Sequence, residues 1–347
     1  MTLADRPLAL GIDVGGTKVA AVLVDRQGTV LARERGPVAA ESNQAGLESI
    51  LQVVDRLLDA HPEARARLAG IGTGAPGAID WRAGVLRGAA NLAWRDLPLA
   101  AALRDRYRVP ALLDNDVNAA AWGERCFGPR VSPSPAAQER GLGGEVDHLV
   151  FITVGTGIGS GLIESGRIVR GRRSAGEIGH IPLLEDGPPC KCGMVGCLEA
   201  AASGPAFAAV GRALAAAGQS PRLVELAGGN PQAVEPPHLI QAAVEGDPAA
   251  RQALDREGYY LALAALIASR MLDPELIVIG GGLAEAGAPL FEALWRQLAR
   301  LRPRGPEPQT YVVPARLRAD AGAVGAAALV LHPEPGFVSE GHVSAAL

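Results

Sequence analysis

Two glycine-rich turns, one Asn-Asp pair and one cluster of cysteines carry the chemistry that this sequence can do. The first turn, Asp13-Val14-Gly15-Gly16-Thr17-Lys18, and the second, Gly155-Thr156-Gly157-Ile158-Gly159, each follow an apolar run. Glycines let backbone N–H groups approach a ligand, and successive N–H groups in such a turn make an anion-binding nest. Thr17 can add a hydroxyl. Asp13, at the end of its apolar run, can hold a hydrated magnesium ion, which favours one or two carboxylates plus phosphate; it can also simply form an Asx-type turn. Residues 8–35 and 149–170 follow one pattern: strand, glycine turn, strand, polar turn, short strand. This suggests two copies of one module, with N–H groups aimed into a cleft that could hold a chain of phosphates.

Asp114-Asn115-Asp116 closes the short strand VPALLD, just before a helix expected from about Asn118. Asp116 at such a corner can take the proton of an attacking hydroxyl. It can equally serve as a helix cap, as can Asp114, Asn115 and Asn118; spacing alone leaves the two readings even. Cys190, Cys192 and Cys197 lie within eight residues, whereas Cys126 stands apart and reads as a small apolar residue on a helix. Three thiols so close in a cytosolic chain argue for a metal rather than disulfides. Structural zinc normally takes four ligands. His180, ten residues upstream in Gly176-Glu177-Ile178-Gly179-His180, is the nearest candidate.

These residues need a frame. A length of 347 residues suggests two domains. A net charge of −4 without a basic patch argues against nucleic acid as a partner. No apolar run approaches the ~20 residues of a membrane helix, and MTLADRPLALGIDV lacks the basic start of a signal peptide. A cytoplasmic protein without membrane contact is expected. Leu47, Ile50, Leu51, Val54, Leu57 and Leu58 share one 3.6-period face, which predicts a helix over roughly 43–60. A strand LAGIGTGAPG, a loop carrying Asn91-Leu92-Ala93-Trp94 and a helix near 97–107 lead to VPALLD. The stretch 129–147, rich in Pro, Ser, Gly and charge, reads as a surface excursion. Ala-rich helices follow over roughly 203–271. The strand LIVIG then runs into Gly281-Gly282, and TYVVP, a helix from about Ala321 and a loose tail close the chain. Strands alternating with helices predict an α/β protein. The repeated β-β-β-α-β-α order predicts mixed sheets with antiparallel hairpin edges.

Taken together over about residues 8–332, the motifs resemble the ROK family of bacterial sugar kinases, within the actin-like, Hsp70 and hexokinase ATPase superfamily. They look most like the glucokinases of that family. The matching stretches are Asp13 to Lys18, Asn115-Asp116-Val117-Asn118 through Gly123-Glu124, Gly155 to Gly159, Glu177 to His180, Cys190 through Cys197-Leu198-Glu199, and Ile279-Gly280-Gly281-Gly282. Asp114 is a departure, because many relatives carry Glu there; it is expected to matter little. The resemblance implies an actin-like, ribonuclease H-like fold of two duplicated α/β lobes with a cleft between them. Residues 1–116 plus 320–347 would form the small lobe. Residues 117–319 would form a larger lobe with the zinc loop and most of the sugar site.

The resemblance further implies ATP-dependent phosphorylation of glucose to glucose 6-phosphate, with Asp116 as general base. The hexose would be held by Asn91, Asn115, Asp116, Glu177, His180 and Glu199. ATP and Mg2+ would bind at Asp13, Gly15, Gly16, Thr17, Lys18, Gly155, Thr156, Gly157, Gly281 and Gly282. A structural Zn2+ would sit on His180, Cys190, Cys192 and Cys197, leaving the second nitrogen of His180 for a sugar hydroxyl. A homodimer or homotetramer is implied. Kinases for fructose, mannose, N-acetylmannosamine or N-acetylglucosamine share the same contacts, and polyphosphate is an alternative donor. The stretch from Asn91 to Leu99 resembles glucokinases and favours glucose. Repressors of the family carry a helix-turn-helix domain ahead of the first phosphate motif, where this sequence has only about ten residues. Sugar-driven closure about crossings near Asp116 and Ala321 is expected to keep water from the γ-phosphate.

Overall fold

The computed structural model describes residues 7–129, 146–172, 175–301 and 310–335. Most of the expected 129–147 excursion and the end of the tail lie outside these residues. The described residues form two compact units. Unit 1 takes those up to Asp147, those from Gly161 to Ala175 and those from Ala319 onward; unit 2 takes His148–Ser160 and Gly176–Arg318.

Unit 1 opens with β1 (Leu8–Val14), β2 (Lys18–Asp25) and β3 (Val30–Pro37), an antiparallel meander. β1 is buried along nearly its whole length, while every second residue of β3 is exposed, as suits a central and an edge strand. Helix α1 (Asn43–Ala60) is capped by Ser42, whose hydroxyl accepts from the Ala45 N–H at 3.2 Å. Its buried face carries Ile50, Val53, Val54, Leu57 and Leu58, as the apolar period predicts. The short α2 (Pro62–Arg65) leads into β4 (Leu68–Ala75).

Next, β5 (Ala78–Asp80), β6 (Val85–Ala89) and β7 (Leu92–Leu97) make a small antiparallel sheet. Leu92-Ala93-Trp94, expected in a loop, begin a strand instead. Leu92 and Trp94 point into the core, and the Trp94 indole N–H donates to the Ala39 carbonyl at 3.0 Å. The strand lacks β-branched residues, so its propensity signal is weak. Helix α3 (Leu99–Tyr107), β8 (Ala111–Asn115) and α4 (Asp116–Phe127) follow.

β9 (Leu149–Val154), β10 (Ile158–Glu164) and β11 (Arg167–Ile168) then repeat the opening pattern. In unit 2 come α5 (Leu198–Ala202), α6 (Gly204–Ala216), α7 (Pro221–Leu226), α8 (Pro236–Glu245) and α9 (Pro248–Leu272). They are followed by β12 (Leu276–Gly280), α10 (Ala288–Leu301) and β13 (Tyr311–Pro314), and α11 (Ala321–Leu331) returns to unit 1. The two main sheets have the same order, β3-β2-β1-β4-β8 and β11-β10-β9-β12-β13. In each, the first strand of the meander leads a row of three parallel strands. The repeated phrase in the sequence is thus a repeated topology.

Unit 1 extends past the boundary expected at 116, and α11 is the reason. This helix packs on β1, β4 and α4. Gly11 and Gly72 face it from the sheet, where a Cβ would strike the carbonyl oxygens of Ala323 and Ala326. A Cβ at Gly325, on the helix itself, would strike the Ala119 carbonyl of α4. Backbone meets backbone at these three glycines, and α4 is thereby held in unit 1. Gly72→Ala should lower the melting temperature sharply, because the added methyl has no space and overpacking costs about 1–3 kcal/mol or more. An unchanged melting temperature would contradict this packing.

One buried group in α9 sets a pH dependence. Glu257 is 2% exposed, and its Oε1 has no hydrogen-bond partner. Burial pushes its carboxyl well above the ordinary value of 4.5. The folded protein therefore holds this proton more tightly than the unfolded chain does. That stabilising contribution is complete below the unfolded value and is lost as pH rises through the raised folded value. Glu257→Gln should raise the melting temperature at about pH 8 and change it little at about pH 5, as measured by thermal unfolding. Equal shifts at both pH values would show that Glu257 does not titrate in this window.

Candidate functional site

In unit 1, parallel strands bring the acidic residues to one edge. The register of β1, β4 and β8 pairs Asp13 with Gly74, Gly74 with Asp114, and Ala75 with Asn115. A Cβ at Gly74 would lie 3.2 Å from the Asp116 Cα, so the corner that bears Asp116 rests directly on the end of β4. Asp13 sits against the first turn of α11, where a Cβ at Gly322 would come 2.7 Å from its Cγ. Burial raises its pKa, and the nearby charges of Lys18 and Arg35 partly offset that. A desolvated carboxylate of this kind gains from an added cation.

The first glycine turn is closed by the Gly15 N–H donating to the Lys18 carbonyl at 2.8 Å, which leaves Gly16, Thr17 and Lys18 exposed. Asn91, in the β6–β7 turn, lies beside it: a Cβ at Gly16 would be 3.6 Å from the Asn91 Cβ. At the corner, Asn115 Oδ1 accepts the N–H groups of Val117 and Asn118 at 2.9 and 3.2 Å. Asp116 Oδ1 accepts the Val117 N–H at 2.9 Å. Asn115 is therefore the N-cap, and α4 starts at Asp116, earlier than expected. An acid in the first turn of a helix is favoured by the helix dipole. Asp114 has more to do than its sequence suggested. It is 2% exposed, and its Oδ1 accepts the Asn115 N–H at 2.8 Å and Asn118 Nδ2 at 3.1 Å.

Unit 2 holds the second turn. The Gly155 N–H donates to the Gly157 carbonyl at 2.9 Å, and the Gly155 carbonyl accepts the Gly204 N–H at 2.8 Å. Glu199, from α5, braces the turn: its Oε2 accepts the Ile158 N–H at 2.9 Å, and a Cβ at Gly157 would collide with it. β12 runs parallel to β9 with Gly280 opposite Thr153, so the Gly281-Gly282 loop emerges beside the turn. A Cβ at Gly155 would lie 3.9 Å from the Gly282 nitrogen. Gly281 has φ +88°, and a Cβ there would sit 2.6 Å from the Val154 backbone. The ends of parallel strands are the usual ligand edge of α/β sheets. A cavity of about 370 Å³ adjoins this edge, lined by Gly280, Gly287, Phe291, Pro314 and Arg318 among others. That volume is of the order of small-molecule sites.

The expected metal set also comes together in unit 2. One ligand atom from each of His180, Cys190, Cys192 and Cys197 lies within 4.8 Å of the others. Cys192 Sγ is 3.7 Å from Cys197 Sγ, and Cys190 Sγ is 3.6 Å from His180 Nδ1. Tetrahedral zinc with Zn–S bonds of about 2.3 Å spaces its sulfur ligands by about 3.8 Å, so the set fits that ion. Gly193 and Gly196, with φ +96° and +74°, let the loop wrap around the site. Desolvation and the neighbouring thiols push Cys197 up to about 12, while Cys192 is lowered, chiefly by its hydrogen bond with the Met194 backbone. A cation would offset the mutual repulsion of such thiolates. His180 Nε2 is 3.9 Å from Glu177 Oε2, so the ring turns Nδ1 to the thiols and Nε2 to Glu177. Metal on Nδ1 would fix the tautomer and leave Nε2–H as a donor. Cys126 lies on α4, outside this set.

Two sheets of identical order, each opening on a hairpin closed by a glycine turn, define an α/β protein of the actin-like ATPase class. The ROK family model matches residues 9–332, and the chain belongs to the ROK family. It is 32% identical to a glucokinase from Halalkalibacterium halodurans, covering 94% of this chain and 95% of that one. It is also 32% identical to an N-acetylmannosamine kinase from Escherichia coli, covering 92% and 97%. Among solved structures, a ROK family glucokinase from Streptomyces griseus in complex with glucose and AMPPNP superposes with a TM-score of 0.76 at 32% identity. That match covers 93% of this chain and 98% of the other.

Elemental analysis of the purified protein should find about one zinc per chain, as a four-ligand structural site requires. Cys192→Ala should lose the metal and lower the melting temperature. A native protein free of metal would remove zinc from the fold.

Proposed function

We propose that the protein is an ATP-dependent sugar kinase that phosphorylates glucose to glucose 6-phosphate, with Asp116 as the general base. The observation that carries this reading is the row of strand ends in unit 1. It sets the Asp116 corner beside the end of β4, one strand from the half-buried Asp13. The similarity to glucokinases over nearly the whole chain supports it.

Phosphoryl transfer needs donors and a cation on the phosphates, an acceptor held in line, and a carboxylate for the hydroxyl proton. Asp116 takes that proton. Asn115 spends its Oδ1 on the helix cap, so its Nδ2 is the group that donates to the sugar. Asn91, Glu177, His180 through Nε2–H, and Glu199 through its Oε1 complete the hexose contacts. Gly15 and Gly155 close the two turns with their own N–H groups, so the N–H groups at Gly16 and Thr17, and at Thr156 and Gly157, hold phosphate oxygens, with the Thr17 hydroxyl and Lys18 in support. The edge at Gly281 and Gly282, with its adjoining cavity, takes the adenosine. Asp13 is the carboxylate for hydrated Mg2+, which supplies charge neutralisation on the phosphates. Zn2+ is structural and orients His180. No helix among the described residues is long and apolar enough to cross a membrane; a cytoplasmic homodimer or homotetramer completes the proposal. The N-acetylmannosamine kinase similarity favours a second reading, the same transfer to an N-acetylhexosamine.

A coupled ADP-release assay over a panel of hexoses and N-acetylhexosamines, with ATP and polyphosphate as donors, should give the highest kcat/KM for glucose with ATP. A clear preference for N-acetylmannosamine would establish the second reading instead. Asp116→Asn should keep the fold and sugar binding but lower kcat by at least ~10²-fold, the scale of general-base catalysis. Near-normal kcat in the folded variant would exclude Asp116 as the base.

A further inference from the structure

Arg170 plays no part in the site described above and only closes the second repeated stretch of the sequence. It follows β11, and its side chain is 10% exposed. Its Nε donates to Asp114 Oδ2 at 2.8 Å, and Nη2 lies 2.7 Å from the same oxygen. On its other side, Nη1 is 2.8 Å from Glu334 Oε2, on a side chain that is 8% exposed. The guanidinium lies 4.2 Å from the centre of the Trp81 ring. Glu334 is itself held, because its Oε1 accepts the Ile168 N–H at 2.9 Å. The segment it belongs to, just past α11, is fastened at His332 as well. The Trp122 indole N–H donates to the His332 carbonyl at 2.9 Å, and the His332 ring meets Phe127 edge-on at 5.1 Å.

A guanidinium is a rigid planar fork. Held by a carboxylate on each side and an aromatic face, it has one orientation. Buried ion pairs are weak evidence for stability, because apolar replacements of similar volume are often as stable. What this set does provide is geometry. Asp114 Oδ2 is tied to Arg170, so its Oδ1 is fixed where it receives the Asn115 N–H and Asn118 Nδ2. Those two groups define the corner from which Asp116 projects. A continuous chain therefore runs from Glu334 through Arg170 and Asp114 to the base.

We propose that Glu334, Arg170 and Asp114 are positioning residues that set the Asn115–Asp116 corner, so that turnover depends on the segment after α11. The proposal rests on the reading of Asp116 as general base. Displacing a reacting group by about 1 Å can cost about 10²-fold in rate. Loosening the far end of the chain should cost less.

The test uses full-length protein and the sugar that the hexose panel selects, with folding checked by thermal unfolding. Glu334→Gln and Arg170→Lys should each lower kcat about tenfold, with a much smaller change in the sugar KM. In the Asp116→Asn background, Glu334→Gln should lower the residual rate no further, because the group it positions is gone. A Glu334→Gln protein that is less stable but has full kcat would mean a structural role and would overturn the proposal. An equal loss of rate in both backgrounds would overturn it too. Near-normal turnover in Asp116→Asn alone would fell the base assignment and this proposal together. A crippled Asp116→Asn beside a fully active Glu334→Gln would fell only the proposal.

Discussion

Unit 1 depends on how closely one helix backbone approaches a sheet. Small residues dominate the buried part of α11, among them Ala323, Gly325, Ala326 and Ala327. Gly11 and Gly72 answer from β1 and β4, and Gly325 meets α4. No side chain separates these backbones. The gain is dense dispersion contact, which falls off steeply once a gap opens. The same approach shapes the candidate site. It brings the first turn of α11 against Asp13, and it seats α4, whose first turn carries Asp116. Packing and site are thus one arrangement, and a methyl group in the wrong place would disturb both.

Each glycine turn is accompanied by a polar side chain from a distant part of the chain. In unit 1 it is Asn91 beside Gly16; in unit 2 it is Glu199 against Gly157. Glu199 follows directly on Cys197 and Leu198, so the loop that gathers the thiols also places the carboxylate that braces the turn. A metal in that loop would stiffen the second glycine turn as well as His180. The candidate metal set and the second glycine turn are thus linked through one short helix, α5.

Local signals in the sequence were sufficient for much of this. The apolar period of α1, the two strand–glycine–strand phrases and the cysteine spacing each report a neighbourhood of a few residues, and each is found in the structure. The small β5–β7 sheet leaves little trace in the sequence because Leu92-Ala93-Trp94 has no β-branched residue, and it is burial of Trp94 against Ala39 and Gly46 that makes the strand. The start of α4 is ambiguous in the sequence because Asp114, Asn115, Asp116 and Asn118 all suit a cap, and only the geometry of Asn115 decides among them. The extent of unit 1 and the partners of Asp114 were illegible for a different reason. Arg170 and Glu334 are far from Asp114 in sequence, and nothing local in either says what it meets.

The return of α11 to unit 1 also bears on how the protein is made. Unit 2 is encoded wholly between the first strands of unit 1 and their last helix. During synthesis, β1 and β4 precede unit 2, with Gly11 and Gly72 facing an empty groove, while the helix that fills it is made only after the whole of unit 2. Contacts so distant along the chain form slowly. A nascent chain paused before Ala319 would hold every residue of unit 2 but only an unfinished unit 1, its apolar sheet face open to chaperones or to proteases. Completion of α11, rather than any earlier step, would therefore govern when the half bearing Asp116 becomes whole.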